Sequence, residues 1–380
     1  MAGFCAFVTL YAPQPLLPVL AAEFHSSVAG ISLLLTATTL GVALAAPLAG
    51  ILADRVGRKR VIVPAALLLG APVLLGARAT GLNELVFCRF WQGIFTPGIA
   101  VVVAAYINEE WQEGVGSAMG AYVSGTVLGG FSGRIIAGFI AARYSWRWAF
   151  VVLALLCAMG GLAIWAWLPP GRRFAGAASA ASTLRAMGRH LRNRRLLATY
   201  AVGFCVLFSM LATFTYVNFY LAAPPFGLSP AELGLLFVVY LAGAVVTPFA
   251  GRWVDRAGHR ITLTVAYAGA IGGILLTLIQ SLPAILAGLA LCSTAVFVAQ
   301  AASNSYIGTV AEEARAAAVG LYVLFYYIGG SVGAAVPAFF WNRAGWPACV
   351  ALIASVQAVT IALASSFWHP AKAGKVPLSR

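Results

Sequence analysis

Gly50-Ile51-Leu52-Ala53-Asp54-Arg55-Val56-Gly57-Arg58-Lys59-Arg60 is a charged turn set between two long apolar runs. A bilayer-spanning helix needs about 20 apolar residues, so the stretch predicts a tight turn joining two membrane helices. Arg55, Arg58, Lys59 and Arg60 crowd into it, and Lys and Arg concentrate in cytoplasmic loops. Asp54 falls where the preceding helix ends, and a helix C-terminus carries partial negative charge. Its carboxylate therefore needs a neighbouring arginine or the N-terminus of another helix. Taken alone, the turn is either a gating element or a charged loop that only sets topology.

The pattern returns 201 positions later as Gly251-Arg252-Trp253-Val254-Asp255-Arg256-Ala257-Gly258-His259-Arg260. Gly50 matches Gly251, Asp54 matches Asp255, Arg55 matches Arg256 and Gly57 matches Gly258. Further on, Glu109-Glu110 recurs as Glu312-Glu313, and Gly120, Tyr122, Gly129 and Gly130 recur as Gly320, Tyr322, Gly329 and Gly330. Two copies half a chain apart mean an internal duplication. The 380 residues are 62% hydrophobic and 9% charged, with a mean hydropathy of +0.92. A soluble domain carries about 25% charged residues, so this is a polytopic membrane protein. The net charge of +14 does not point to nucleic acid, because the cations sit in short loops between apolar runs.

Twelve spans are predicted, at residues 4–22, 28–53, 61–77, 83–107, 114–141, 146–168, 196–222, 231–253, 261–280, 283–309, 316–341 and 346–368. Of the 24 Lys and Arg, Arg78, Arg143, Arg147 and Arg343 fall on one side, Arg89 and Arg134 fall within spans, and the remaining 18 fall on the other side. That bias places both termini in the cytoplasm. An N-terminal six-helix bundle (1–168) and a C-terminal one with a short tail (196–380) are expected, joined by a cytoplasmic linker (169–195). The linker is rich in Gly, Ala and Ser to residue 182, hence flexible. It is then basic, with Leu184, Met187 and Leu191 at helical spacing, as in an amphipathic helix on an anionic leaflet. No basic segment precedes the first apolar run, so no cleaved signal peptide is expected.

The charged turn resembles the G-x-L-a-D-r-x-G-r-k loop of the major facilitator superfamily, with the second copy degenerate, as is usual in that family. The resemblance implies an all-α membrane protein of twelve transmembrane helices in two pseudo-symmetric six-helix bundles, working as a secondary transporter. It also implies a gating role for Gly50, Asp54, Arg55, Gly57, Arg58, Asp255 and Arg256. Asp54 would dock on the eleventh helix near Ala316, and Asp255 on the fifth near Gly114. Arg89-Phe90-Trp91-Gln92-Gly93 resembles the family's R-x-x-q-G signature in the fourth helix. Gly125, Gly129 and Gly130 match the exporter pattern G-P-x-x-G-G, with Thr126 where the proline belongs. Tyr11-Ala12-Pro13-Gln14-Pro15-Leu16-Leu17-Pro18 is similar to the first helix of bacterial drug-efflux members of the drug:proton antiporter 1 type.

Substrate contacts are expected from residues that are costly in a membrane. Arg89, Gln92 and Arg134 are the candidates of the fourth and fifth spans, and Tyr11 and Gln14 those of the first. Asn218, Gln300, Asn304 and Tyr326 are their counterparts in the second half. Arg89 can equally be satisfied by backbone carbonyls of the first helix, and the tyrosines by packing. The ten acids lie at or beyond span ends, so no cavity carboxylate is predicted to carry a proton. The six cysteines lie singly in apolar runs and read as buried apolar residues, not as a metal site or disulfides. No nucleophile–base constellation and no cofactor signature stands out, so an enzyme is not expected.

The function expected is therefore efflux of a small organic solute across the inner membrane by a monomeric, multi-pass transporter, with protons as the candidate co-substrate. The alternatives are uptake or facilitated passage of an organic anion or polar neutral solute, and a solute sensor without transport.

Overall fold

The computed structural model describes residues 1–111, 113–169, 171, 180–311 and 313–368. Four expectations lie outside them: most of the glycine-rich linker, the basic tail with Lys372, Lys375 and Arg380, the Leu184 side chain and Glu312 of the repeated acid pair.

Three prolines govern the first segment. α1 (Ala2–Val8) stops at Thr9, a single tight turn follows at Gln14–Leu16, and α2 (Leu17–Glu23) resumes beyond it. Pro13 and Pro15 lack the N–H that a continuing helix would donate. The first span is thus two short helices around a break, not one rod. α3 (Val28–Val56) and α4 (Arg58–Gly76) flank the charged turn, and α5 (Leu82–Glu110), α6 (Val115–Arg143) and α7 (Trp146–Trp167) follow. α8 (Ala180–His190) lies in the linker, where Met187 is turned towards Gly320 and Arg189 pairs with Glu313 at 3.2 Å. α9 (Arg194–Ala222) opens the second half.

α10 (Pro230–Leu235) begins at a capping box, in which Ser229 and Glu232 each satisfy the other's backbone N–H. A short turn at Leu236–Val238 leads into α11 (Val239–Leu276), which bends at Gly258. α12 (Leu282–Val310), α13 (Arg315–Ala335) and α14 (Pro337–Phe367) complete the chain. The predicted turn between the last two spans is a break at Val336–Pro337 and a second at Ala344–Gly345, where Gly345 has φ +63°. Among the described residues ten helices are long and apolar enough to cross a membrane, and none forms a strand. The fold is all-helical.

The duplication is visible in how helices touch. A Cβ at Gly129 or Gly133 of α6 would collide with the Phe4 or Val8 carbonyl of α1. A Cβ at Gly329 or Gly333 of α13 would collide with the Phe204 or Phe208 carbonyl of α9. The two contacts repeat at the same offset in each half. In a membrane, close backbone approach at small residues is what lets helices gain dispersion contact.

Candidate functional site

The break after α1 leaves two carbonyls without their helical donors. Residue 13 would bond the Thr9 carbonyl, but it is proline, and the Gln14 N–H turns to Tyr11 instead of Leu10. Arg89 of α5 replaces both donors. Its Nη1 donates to the Thr9 carbonyl at 3.0 Å and its Nη2 to the Leu10 carbonyl at 2.5 Å. Nη1 also donates to the Gln92 side-chain oxygen, and Gln92 Nε2 donates to Thr9 Oγ1 at 2.6 Å. Arg89 and Gln92 therefore hold the broken backbone of the first segment in place.

Arg134 is placed differently. It is 1% exposed, on α6, one residue after the tightly packed Gly133. Nε donates to Gln14 Oε1 at 2.7 Å, and Nη1 to the Gly130 carbonyl at 2.6 Å. Three rings surround the guanidinium: Phe237 at 4.4 Å, Tyr240 at 4.9 Å and Tyr11 at 5.0 Å. A cation over an aromatic face is attracted by the ring quadrupole. Nη2 has no hydrogen-bond partner among the described residues, and neither has the Tyr240 hydroxyl. No Asp, Glu or His among the described residues is buried, so no buried acid neutralises either arginine.

The cluster joins the two repeats. Gln14, which orients Arg134, also reaches Thr215 Oγ1 of α9 at 3.5 Å. Tyr11 lies near Tyr327 of α13, Tyr327 packs edge-on to Tyr326, and Tyr326 stacks on Tyr322 at 5.9 Å. Asn218 is buried; its Nδ2 donates to the Phe214 carbonyl, while Oδ1 has no partner among the described residues. Gln300 is half-buried and Asn304 exposed, and no described contact brings either to Arg134. Phe237, Tyr240 and Thr215 were not legible as partners. Each sits in an apolar run with nothing in its spacing to separate it from core.

At the charged turn, Gly57 has φ +97° and its repeat Gly258 has φ +81°. A side chain at either would strain the backbone, which explains why the duplicated pattern keeps glycine there. Asp54 pairs with Arg58 at 2.5 Å, and Arg58 forks onto Glu109 at 2.5 and 3.0 Å. Lys59 Nζ donates to the Leu168 carbonyl. Glu109 was not foreseen, although its place at the end of α5 puts it on the same face of the membrane as the turn. Gly50, Arg55, Asp255 and Arg256 border open surroundings or are exposed.

The repeats meet at the end away from this turn. There Thr39 and Ser331 hydroxyls lie 2.9 Å apart, Thr36 Oγ1 donates to the Ser331 carbonyl, and Gly138 of α6 abuts Pro230 and Gly234. At the charged-turn end, positions 116, 120 and 251 are glycines with nothing near enough to touch an added Cβ, and the Asp54 side chain is 43% exposed.

A family model described as Major Facilitator Superfamily matches residues 1–224 and 217–380. The chain is similar to the inner membrane transport protein YnfM of Escherichia coli (strain K12), 33% identical over 362 residues, covering 95% of this chain and 87% of that one. It is also similar to the MFS-type transporter YybF of Bacillus subtilis (strain 168), 31% identical over 381 residues and 94% of that chain. Among solved structures, a mutant of the nucleoside transporter NupG superposes with a TM-score of 0.78 over 97% of this chain and 98% of that one. At 15% identity that likeness shows the fold alone.

Proposed function

Because the chain belongs to the major facilitator superfamily, a family of membrane transporters, we propose that it moves a small organic solute across the bacterial inner membrane by alternating access. Twelve spans follow if the broken segment 4–22 counts as one and the stretch from 230 to 276 is divided at Gly258 into two, alongside α3 to α7, α9 and α12 to α14. They divide into bundles 1–168 and 196–380 around the linker 169–195, with both termini cytoplasmic on the cation bias and the monomer as the working unit. The inner-membrane placement is supported by the similarity to YnfM.

One observation carries the reading. The hydrogen bonds and glycine contacts described between the repeats lie away from the charged turns, while Gly116, Gly120 and Gly251 near those turns border open space, which we read as the open end. Two bundles that rock about a central site pass through such a state. In the opposite state Asp54 docks on the N-terminus of α13 and Asp255 on that of α6, where free N–H groups attract an anion. We take the gating set as Gly50, Asp54, Arg55, Gly57, Arg58, Asp255 and Arg256. The solute cavity draws on Tyr11, Gln14, Arg134, Asn218 and Tyr326 at the interface, with Arg89 and Gln92 behind them and Gln300 and Asn304 towards the open end. The first-segment and fifth-span patterns favour export with protons. Among the described residues no buried acid offers itself as the carrier of the counter-moving proton.

The test replaces the six native cysteines, places single cysteines at Gly120 and at Ser331, and follows their labelling in proteoliposomes while flux of candidate solutes is measured. Solutes that are carried must change the two accessibilities in opposite directions. Labelling of both positions that never changes with any carried solute removes the alternating-access reading.

A further inference from the structure

Resting on the transporter reading, we infer that Arg134 is the anchor of a substrate site for organic carboxylates with an aromatic or similarly flat apolar body. The argument begins with cost. A guanidinium inside the membrane is expensive and is retained where it faces a pathway or a partner. Arg89 commits both its Nη groups to three acceptors, the Thr9 and Leu10 carbonyls and Gln92 Oε1, and leaves only Nε unbonded among the described residues. Arg134 has fewer. Gln14 and Gly130 occupy Nε and one side of Nη1, both N–H groups of Nη2 remain unbonded, and no buried acid is at hand among the described residues.

A second unsatisfied group belongs to the same cluster, the Tyr240 hydroxyl, whose ring centroid lies 4.9 Å from the guanidinium carbon. A guanidinium and a phenol together match the two oxygens of one carboxylate, and charge-assisted bonds of this kind are short and strong. Phe237, Tyr11 and, beyond Tyr11, Tyr327 and Tyr326 supply flat apolar walls for the body of the ligand. A cationic solute meets only positive potential and aromatic faces already occupied by Arg134.

Access follows from which half owns the walls. Arg134 is on α6, while Phe237 and Tyr240 follow α10, and Gly138 against Pro230 and Gly234 keeps these elements together. When the two halves part at this end, the rings leave the guanidinium and Nη2 is uncovered.

The experiment uses the full-length protein in lipid nanodiscs. Shift of the thermal unfolding midpoint is titrated with benzoate and 2-naphthoate, their neutral amides, and the matching arylmethylamines. Carboxylates are expected to stabilise the wild type while amides and amines do not. Arg134→Gln should weaken carboxylate binding about tenfold or more, Arg134→Lys less, and Tyr240→Phe roughly three- to tenfold. Gly138→Leu, which wedges the closed end apart, should tighten it. If no carboxylate stabilises the wild type, if the amines do so equally, or if Arg134→Gln binds as the wild type does, the proposal is overturned. Should Arg134→Gln fail to fold, unchanged carboxylate affinity in Tyr240→Phe overturns it. Reciprocal cysteine labelling without carboxylate binding would sink the anion site and leave the transporter reading standing.

Discussion

Arg134 and Gln14, 120 residues apart in the chain, are joined by a 2.7 Å hydrogen bond from Nε to Oε1. Gln14 can reach only because the chain between Val8 and Leu17 is not α-helical, and Arg134 only because Gly133 lets α6 close on α1. Through Gln14 the same contact extends to Thr215 in the other half.

Gln14→Leu removes the Nε acceptor and leaves a second buried donor of Arg134 unpaired. A loss of about 1–3 kcal/mol in stability is expected. Thermal unfolding of Gln14→Leu against Gln14→Glu measures it. Glu should restore or exceed wild-type stability by supplying a charged acceptor.

Arg89 is expected to matter for the fold of the first segment more than for any ligand. Arg89→Met unbonds two buried carbonyls and should cost about 2–5 kcal/mol. Limited proteolysis between residues 9 and 16 should rise in this variant. Wild-type stability and unchanged cleavage would show that the carbonyls find other donors.

Gly133→Ala and Gly333→Ala should each fail to yield a monodisperse protein, or yield one of sharply reduced midpoint, since the added methyl meets a backbone carbonyl that cannot rotate away. Gly116→Ala and Gly120→Ala, where an added Cβ meets nothing, should be neutral or slightly stabilising. Size-exclusion profiles of the four variants decide this.

Asp54→Asn weakens the pair with Arg58 and removes the charge that would dock on α13. It should populate the form open at the charged-turn end, read as faster labelling of a cysteine at Gly120. Labelling rates equal to those of the parent would remove Asp54 from the gate.

Glu23 lies beyond the first span and is bonded by Arg147 at 2.7 Å, which holds its carboxyl below the usual carboxylate range. A depressed acid stabilises the fold above its ordinary pKa of about 4.3, and that contribution fades as pH falls through the lower folded value. Arg147→Ala should therefore lower the midpoint slightly at neutral pH and not at about pH 3. The pair is exposed, so the effect is small.

The membrane class, the duplication and the two glycine-pinned turns were all readable from the chain. They rest on composition and on local geometry, such as the positive φ that Gly57 and Gly258 supply without strain. Pro13 and Pro15 deny the first span two helical donors, and the chain breaks there. The difference between Arg89 and Arg134 was not readable. In sequence they are two arginines in apolar runs. Only the fold decides that one meets carbonyls abandoned by Pro13 and the other meets three rings and a glutamine from segments more than 100 residues away. Hydrogen-bond satisfaction of a buried charge is a property of the space around it, assembled by helices distant in the chain, and no spacing along one helix encodes it.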